Sequence, residues 1–185
     1  METINKLRKL YQLKHVERVG PVGKRQESPA EHTWSALILA DYFLNIMNDP
    51  TLNRLKIYEL IMYHDVVEIE CGDVAVDDYE GRKNKVEQEK AAAHLIKEHL
   101  PKALGQKFHD LFEEFEAKET PEAKFAKAID SFDALMHFLD YKSYWGTWSE
   151  EKLRRIFGHL KDVPVVNEAF EKIVEYVKKE EYLSN

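Results

Sequence analysis

Tyr63-His64-Asp65-Val66-Val67-Glu68 is the stretch from which fold and chemistry are read outward. It closes an apolar run, Ile57-Tyr58-Glu59-Leu60-Ile61-Met62-Tyr63, with the spacing of a buried helix. Burying an unpaired polar group is costly, so a His-Asp pair at the end of such a run implies a partner. On a continuous helix each residue turns by about 100°, which puts Asp65 about 100° and Glu68 about 40° from His64. One imidazole and two carboxylates then share a sector. Such a sector suits a divalent cation and leaves one acid free beside it.

Two more stretches could complete the site. In Ser28-Pro29-Ala30-Glu31-His32, Ser28 reads as an N-cap, Pro29 as the first helical residue and Glu31 as the reciprocal acid of a capping box. His32 falls in the first turn of a helix that continues through Trp34, Leu37, Ile38, Tyr42 and Met47. Further on, Thr120-Pro121 opens a helix presenting Phe125, Ile129, Phe132, Leu135 and Met136. Asp130 sits within that apolar pattern, with Asp133 and His137 on its own face. A partly buried aspartate needs a cation or a base such as Lys127; Asp133 is placed to steady a ligand from behind.

A His, then His-Asp, then a distant Asp on a helix is the ligand order of the HD-domain metal-dependent phosphohydrolases. The chain resembles that superfamily, and within it the small single-domain branch of 5'-deoxynucleotidases. The resemblance rests on Glu27-Ser28-Pro29-Ala30-Glu31-His32, on His64-Asp65-Val66-Val67-Glu68 with Gly72-Asp73, and on Ala123 to Asp130. It implies an all-α bundle of helices, one divalent ion (Mn, Co, Ni, Fe, Zn or Mg) on His32, His64, Asp65 and Asp130, and a homodimer. The reaction it implies is hydrolysis of a deoxynucleoside 5'-monophosphate to nucleoside and phosphate. Glu68 would transfer the proton, and Asp73 would accept a hydrogen bond from the sugar. The deoxynucleotidases carry a tryptophan after the arginine, whereas Val19 follows Arg18 here. The loop to His32 is also slightly shorter, so Lys24 and Arg25 stand beside Arg18 as candidates to bind phosphate.

Bulk properties agree with a small soluble enzyme. A chain of 185 residues with 44% hydrophobic and 33% charged residues reads as one globular domain over residues 1–185. No apolar run approaches the ~18 residues of a membrane span, and Met1-Glu2-Thr3-Ile4 is no signal peptide. A single cysteine, Cys71, fits a reducing compartment, hence the cytoplasm. The net charge of −7 argues against binding long nucleic acids but permits a small nucleotide beside a metal.

Nearly every segment reads as helix, about seven or eight in all, and no strand is expected. The expected helices cover 2–14, 28–47, Leu52 or Asn53 to about Ile69, 82–99, Pro101 to Glu119, a stretch from Thr120, Ser149 to about His159, and Val165 to about Tyr182. Residues 15–27 read as loop; Tyr141 to Trp148 reads as core; His94, His99, His15, His109 and His159 read as solvated or edge residues. There is no Gly-rich phosphate cradle, serine triad or thiolate site, so water is the expected nucleophile. Two alternatives stay open: another phosphorylated nucleotide as substrate (a phosphodiester, a triphosphate or an alarmone), or a non-catalytic metal-stabilised binding module. Glu68 and Asp73, which a structural site would not need, count against the second.

Overall fold

The computed structural model describes residues 1–184. Its helices start where short polar side chains can take up the orphan N–H groups of the first turn. Ser28, Asn53, Thr120 and Ser149 accept from the backbone N–H of Glu31, Lys56, Ala123 and Lys152 respectively. The elements are α1 (Glu2–Arg8), α2 (Pro29–Met47), α3 (Arg54–Tyr63), α4 (Glu68–Cys71, a single turn), α5 (Lys85–His99), α6 (Lys102–Ala117), α7 (Pro121–Phe138), α8 (Glu150–Phe157) and α9 (Pro164–Lys179). The fold is therefore all-α, and none of the described helices is long and apolar enough to cross a membrane.

α2, α3 and α7 pack against one another and α9 lies across α2 and α7. Ala36 and Ala40 of α2 meet Ile57, Leu60 and Ile61 of α3 and Ala126, Ile129 and Phe132 of α7 in the main core. The alanines let the backbones approach, and the branched and aromatic residues fill the space between. A second cluster, Val66, Val67, Ala93, Ile96, Phe108 and Phe112, lies under α5 and α6, with Tyr63 packed on both clusters. α5 and α6 cross so closely that a Cβ on Gly105 would lie 2.2 Å from the carbonyl oxygen of Lys97.

Three expectations need correction. The central helix does not run to Ile69: α3 stops at Tyr63, and His64–Val67 forms a tighter 3-10 turn before α4. His64, Val66, Val67 and Glu68 are all buried. Neighbours on several sides cover that run, and one helical stripe could not bury it. The first helix likewise ends at Arg8 and continues as a 3-10 segment, Lys9–His15. Finally, the loop contains a hairpin: β1 (Pro21–Val22) pairs antiparallel with β2 (Arg25–Gln26), turning at Gly23 with φ +62°. Strands of two residues each carry no readable alternation. The later helices shift only at their ends; α5 starts at Lys85 after a 3-10 turn, Gly81–Asn84.

The start of α2 is secured twice. Ser28 N and Oγ donate to Glu31 Oε2 at 3.0 and 2.8 Å, and Arg25 Nη1 donates to the same oxygen at 2.8 Å. The hydrogen bonds from Arg25 lead the effects that lower the Glu31 carboxyl from 4.5 to about 2. A lowered acid adds stability above its unfolded value and loses it as pH falls through its folded value. Ser28→Ala is therefore expected to cost about 1 kcal/mol in urea unfolding at neutral pH. Glu31→Gln is expected to lose its deficit relative to the parent as pH falls from 4.5 towards 2.

Candidate metal centre

Four side chains remote in sequence meet where the N-terminus of α2, the 3-10 turn after α3 and the middle of α7 come together. His32 has no exposed surface. Its Nδ1 lies 2.7 Å from Asp133 Oδ2 and its Nε2 3.0 Å from Asp130 Oδ1. His64 is also buried, and its Nδ1 lies 2.7 Å from the carbonyl oxygen of Ile61. A carbonyl only accepts, so Nδ1 carries the proton and Nε2 the lone pair. That Nε2 has no hydrogen-bond partner, although Asp65 Oδ1 is 3.1 Å and Asp130 Oδ1 3.4 Å away. His32, His64 and Asp130 each offer one ligand atom, all within 4.8 Å of one another. An unpartnered buried lone pair facing a second imidazole and a carboxylate is a donor set that a divalent cation satisfies.

Asp65 adjoins this set rather than joining its tightest part. Its Oδ1 faces His64, while its Oδ2 accepts from Arg18 Nη1 at 2.9 Å and lies 3.8 Å from His32 Nε2. Asp130 is divided in the same way, with Oδ2 accepting from Lys127 Nζ at 2.7 Å. The base and the metal reading are thus not exclusive, since each takes one oxygen. Asp133 is buried and accepts from Ser35 Oγ at 3.0 Å as well as from His32, which fixes the ring orientation.

Electrostatics separates the acids. Burial would raise the Asp130 carboxyl, but Lys127 and both imidazoles outweigh it and hold the group well below the carboxylate range. Asp65 is also lowered, by His64, Arg18 and His32 acting against burial. Glu68 moves the other way. It is buried with Oε2 unpartnered, and burial together with the charges of Asp65 and Asp73 pushes it well above 4.5. One site therefore holds two carboxyls lowered by neighbouring cations beside one raised by burial and like charge.

The centre opens into a cleft of about 570 Å³ lined by Arg18, Val19, His64, Asp65, Glu68, Asp73 and Asp130 among others. Gly72, at φ +74°, ends α4 and turns the chain so that Asp73 reaches this cleft. Lys24 and Arg25 do not reach it. Both sit exposed at the hairpin turn, and Arg25 is committed to Glu31. The hairpin turns its tip to solvent and its base inward, so only Arg18 of the loop's three basic residues approaches Asp65.

Three participants were not singled out from sequence. Glu27 is buried between Arg18 Nε and His137 Nδ1, each 3.4 Å from one of its oxygens. Gly20 lies against His137, where a Cβ would approach Nε2 to 2.6 Å. Lys127 was weighed only as an alternative partner of Asp130. A Lys three residues before the Asp signals that pair, but nothing local signals Glu27. His94 and His99 are exposed, as expected, while Nε2 of His109 is buried without a partner.

Buried histidine and aspartate side chains converging beside a cleft in a helical bundle define the class of helical proteins with a candidate metal centre. Residues 10–174 match the family described as HD domain, and the chain belongs to that family. It is similar to 5'-deoxynucleotidase HDDC2 of Xenopus laevis, with 31% identity over 82% of this chain and 70% of that protein. It is also similar to 5'-deoxynucleotidase hdd1 of Schizosaccharomyces pombe, with 28% identity over 80% of this chain and 79% of that protein. Among solved structures, a predicted metal-dependent phosphohydrolase from Magnetospirillum magnetotacticum MS-1 superposes with a TM-score of 0.86 at 24% identity, covering 100% of this chain and 95% of that chain. The cyanophage S-2L HD phosphohydrolase DatZ, bound to dA and one catalytic Zn²⁺ ion, superposes with a TM-score of 0.56 at 22% identity, covering 97% of this chain and 98% of that chain. These two likenesses show the shared fold.

The position of His32 has a measurable consequence. Burial and Arg18 oppose its protonation, but Asp130 and Asp133 on the two ring nitrogens prevail and raise it from 6.5 to about 9. A raised histidine contributes stability that is complete below its unfolded pKa and is lost as pH rises through the folded one. With chelator present, the urea midpoint is expected to fall between pH 6.5 and about 9. His32→Asn is expected to flatten that fall. An unchanged pH profile in the variant would place the titration elsewhere.

Proposed function

We propose that this chain is a metal-dependent phosphomonoesterase that hydrolyses 2'-deoxynucleoside 5'-monophosphates to nucleoside and phosphate. The observation that carries the reading is the convergence of two buried imidazoles with Asp65 and Asp130 at the side of a ligand-sized cleft, near Glu68, whose carboxyl is raised by burial. The names of the two relatives support the substrate class. His32, His64, Asp65 and Asp130 would hold the ion. A divalent ion held there acidifies water and draws charge from a phosphoryl oxygen.

The rest of the chemistry belongs to the chain. Arg18 is anchored on Asp65 and backed by Glu27, and its guanidinium offers planar donors to the phosphate oxygens. Val19 lines the cleft beside it. As the bond between phosphorus and the sugar 5' oxygen breaks, Glu68 gives its proton to that oxygen, and water supplies the new oxygen on phosphorus. Burial, with the charges of Asp65 and Asp73, pushes the Glu68 carboxyl up, which suits a general acid better than a general base. Asp73, one turn beyond Glu68, accepts a hydrogen bond from a sugar hydroxyl and so favours a nucleotide over free phosphate. The groups that act together span Arg18 to His137, which supports one functional domain over residues 1–185.

The enzyme acts as a cytoplasmic homodimer in this reading. Cys71 as the sole cysteine suits a reducing compartment. Trp34, Ile38, Tyr42 and Ile46 form a stripe along α2, each more than half exposed, and a second copy is the occupant that a self-complementary apolar stripe suits.

A phosphate-release assay on mono-, di- and triphosphates tests the reading, with Mn, Co, Ni, Zn or Mg added back after chelation. Release from monophosphates alone is expected; products that retain phosphate would shift the assignment to another nucleotide hydrolase. Glu68→Ala is expected to lower kcat by at least about 100-fold while the ion is retained. Asp130→Ala is expected to lose the ion by elemental analysis, and full occupancy in that variant would mean the ligand set is wrong.

A further inference from the structure

The mouth of the cleft contradicts the rule that apolar side chains leave the surface. Val19, Val76, Val86 and Tyr144 are 43%, 43%, 54% and 40% exposed, and all line this one opening. They come from the hairpin arm, the segment after Asp73, the first turn of α5 and the 3-10 turn that follows α7. Four elements that each leave an apolar residue uncovered around a single opening form a built surface for an apolar or planar group. The metal centre, Arg18 and Asp73 lie in the polar part of the same cleft, which Arg82, Lys85 and Glu89 also line. Val76, Val86 and Tyr144 take no part in the chemistry described above.

Tyr144 is the member suited to stacking. One side of its ring is packed on Phe138, with centroids 5.3 Å apart and planes tilted by 35°. The ring is thus braced while two-fifths of the residue stays open. Trp148 is less available, because Lys152 Nζ stands 4.4 Å from its ring centre. Trp145 is buried and spends its N–H on the carbonyl oxygen of Phe138. Lys152 also pairs with Asp77 at 3.1 Å, so the segment bearing Val76 is fastened to α8 close to the aromatic wall. Tyr144 and the valines thus share the lining of one cleft.

We propose that Tyr144 is the platform on which the nucleobase stacks, with Val76 and Val86 completing the slot, so that the enzyme selects nucleotides over other phosphomonoesters without choosing among the bases. Every base offers a π-face, so stacking on Tyr144 does not depend on which base is bound. This inference rests on the phosphomonoesterase reading for its substrate but makes a claim of its own about binding.

The test uses the full-length metal-loaded enzyme. Tyr144→Ala is expected to raise KM for all four deoxynucleoside monophosphates by about tenfold, each to a similar degree. It should leave hydrolysis of deoxyribose 5-phosphate unchanged, and Tyr144→Phe should behave as the parent. Equal loss on deoxyribose 5-phosphate, loss confined to one base, or no loss would each overturn the proposal. Equilibrium dialysis with a deoxynucleoside lacking phosphate separates this outcome from failure of the hydrolase reading. Binding weakened by Tyr144→Ala supports the stacking site even if no phosphate is released, whereas unweakened binding sinks it even if turnover is normal.

Discussion

The structure turns on a single imidazole with no exposed surface and a carboxylate at each ring nitrogen. His32 belongs to the first turn of α2, and both carboxylates belong to α7. The ring therefore acts as a polar bolt through an otherwise apolar interface of Ala36, Ala40, Ala126 and Ile129. Burying charge in this way is favourable only when every partner is met, because a lone buried ion costs several kcal/mol. The capping box at Ser28 and Glu31 fixes where the helix begins, and so where the ring enters. Ser35 and Asp133 fix how the ring is turned.

From that bolt the remaining charges fall into order. Asp65 and Asp130 each give one oxygen to a base, Arg18 or Lys127, and turn the other towards the imidazoles. The bases sit outside the tight ligand set, so they hold the carboxylates ionised without filling the space between the histidines. Glu68 is buried, has no such base in contact and faces the negative charge of its neighbours, which together push its carboxyl up. Acids within a few residues of one another are thus shifted in opposite directions because their surroundings differ.

The departures from regular helix lie where the site needs them. After α3 the chain tightens into the 3-10 turn His64–Val67, where His64, Val66 and Val67 are buried, and leads into the buried Glu68. The hairpin does similar work for Arg18. Its backbone ladder, extended by Arg18 N to Glu27 O at 2.8 Å and Glu27 N to Gly20 O at 2.7 Å, sets Glu27 beside Arg18. The missing Cβ of Gly20 leaves room for His137 behind them.

Helix content, the start of α2 and the candidate residues His32, His64, Asp65, Glu68 and Asp130 were legible in the sequence. Caps, apolar period and ligand order are local signals, and Ser28, Pro29, Glu31 and the His-Asp pair carry them within a few residues. Three features were not local. A break at Tyr63 depends on what α5 and α6 press against Val66 and Val67. The choice of Arg18 over Lys24 and Arg25 depends on which side of a two-residue ladder faces inward. The pairing of Glu27 with His137 joins residues more than 100 positions apart in the chain. Residue order specified which groups were available, and packing alone decided which of them share a cavity, because burial and charge are properties of the neighbours that folding brings together.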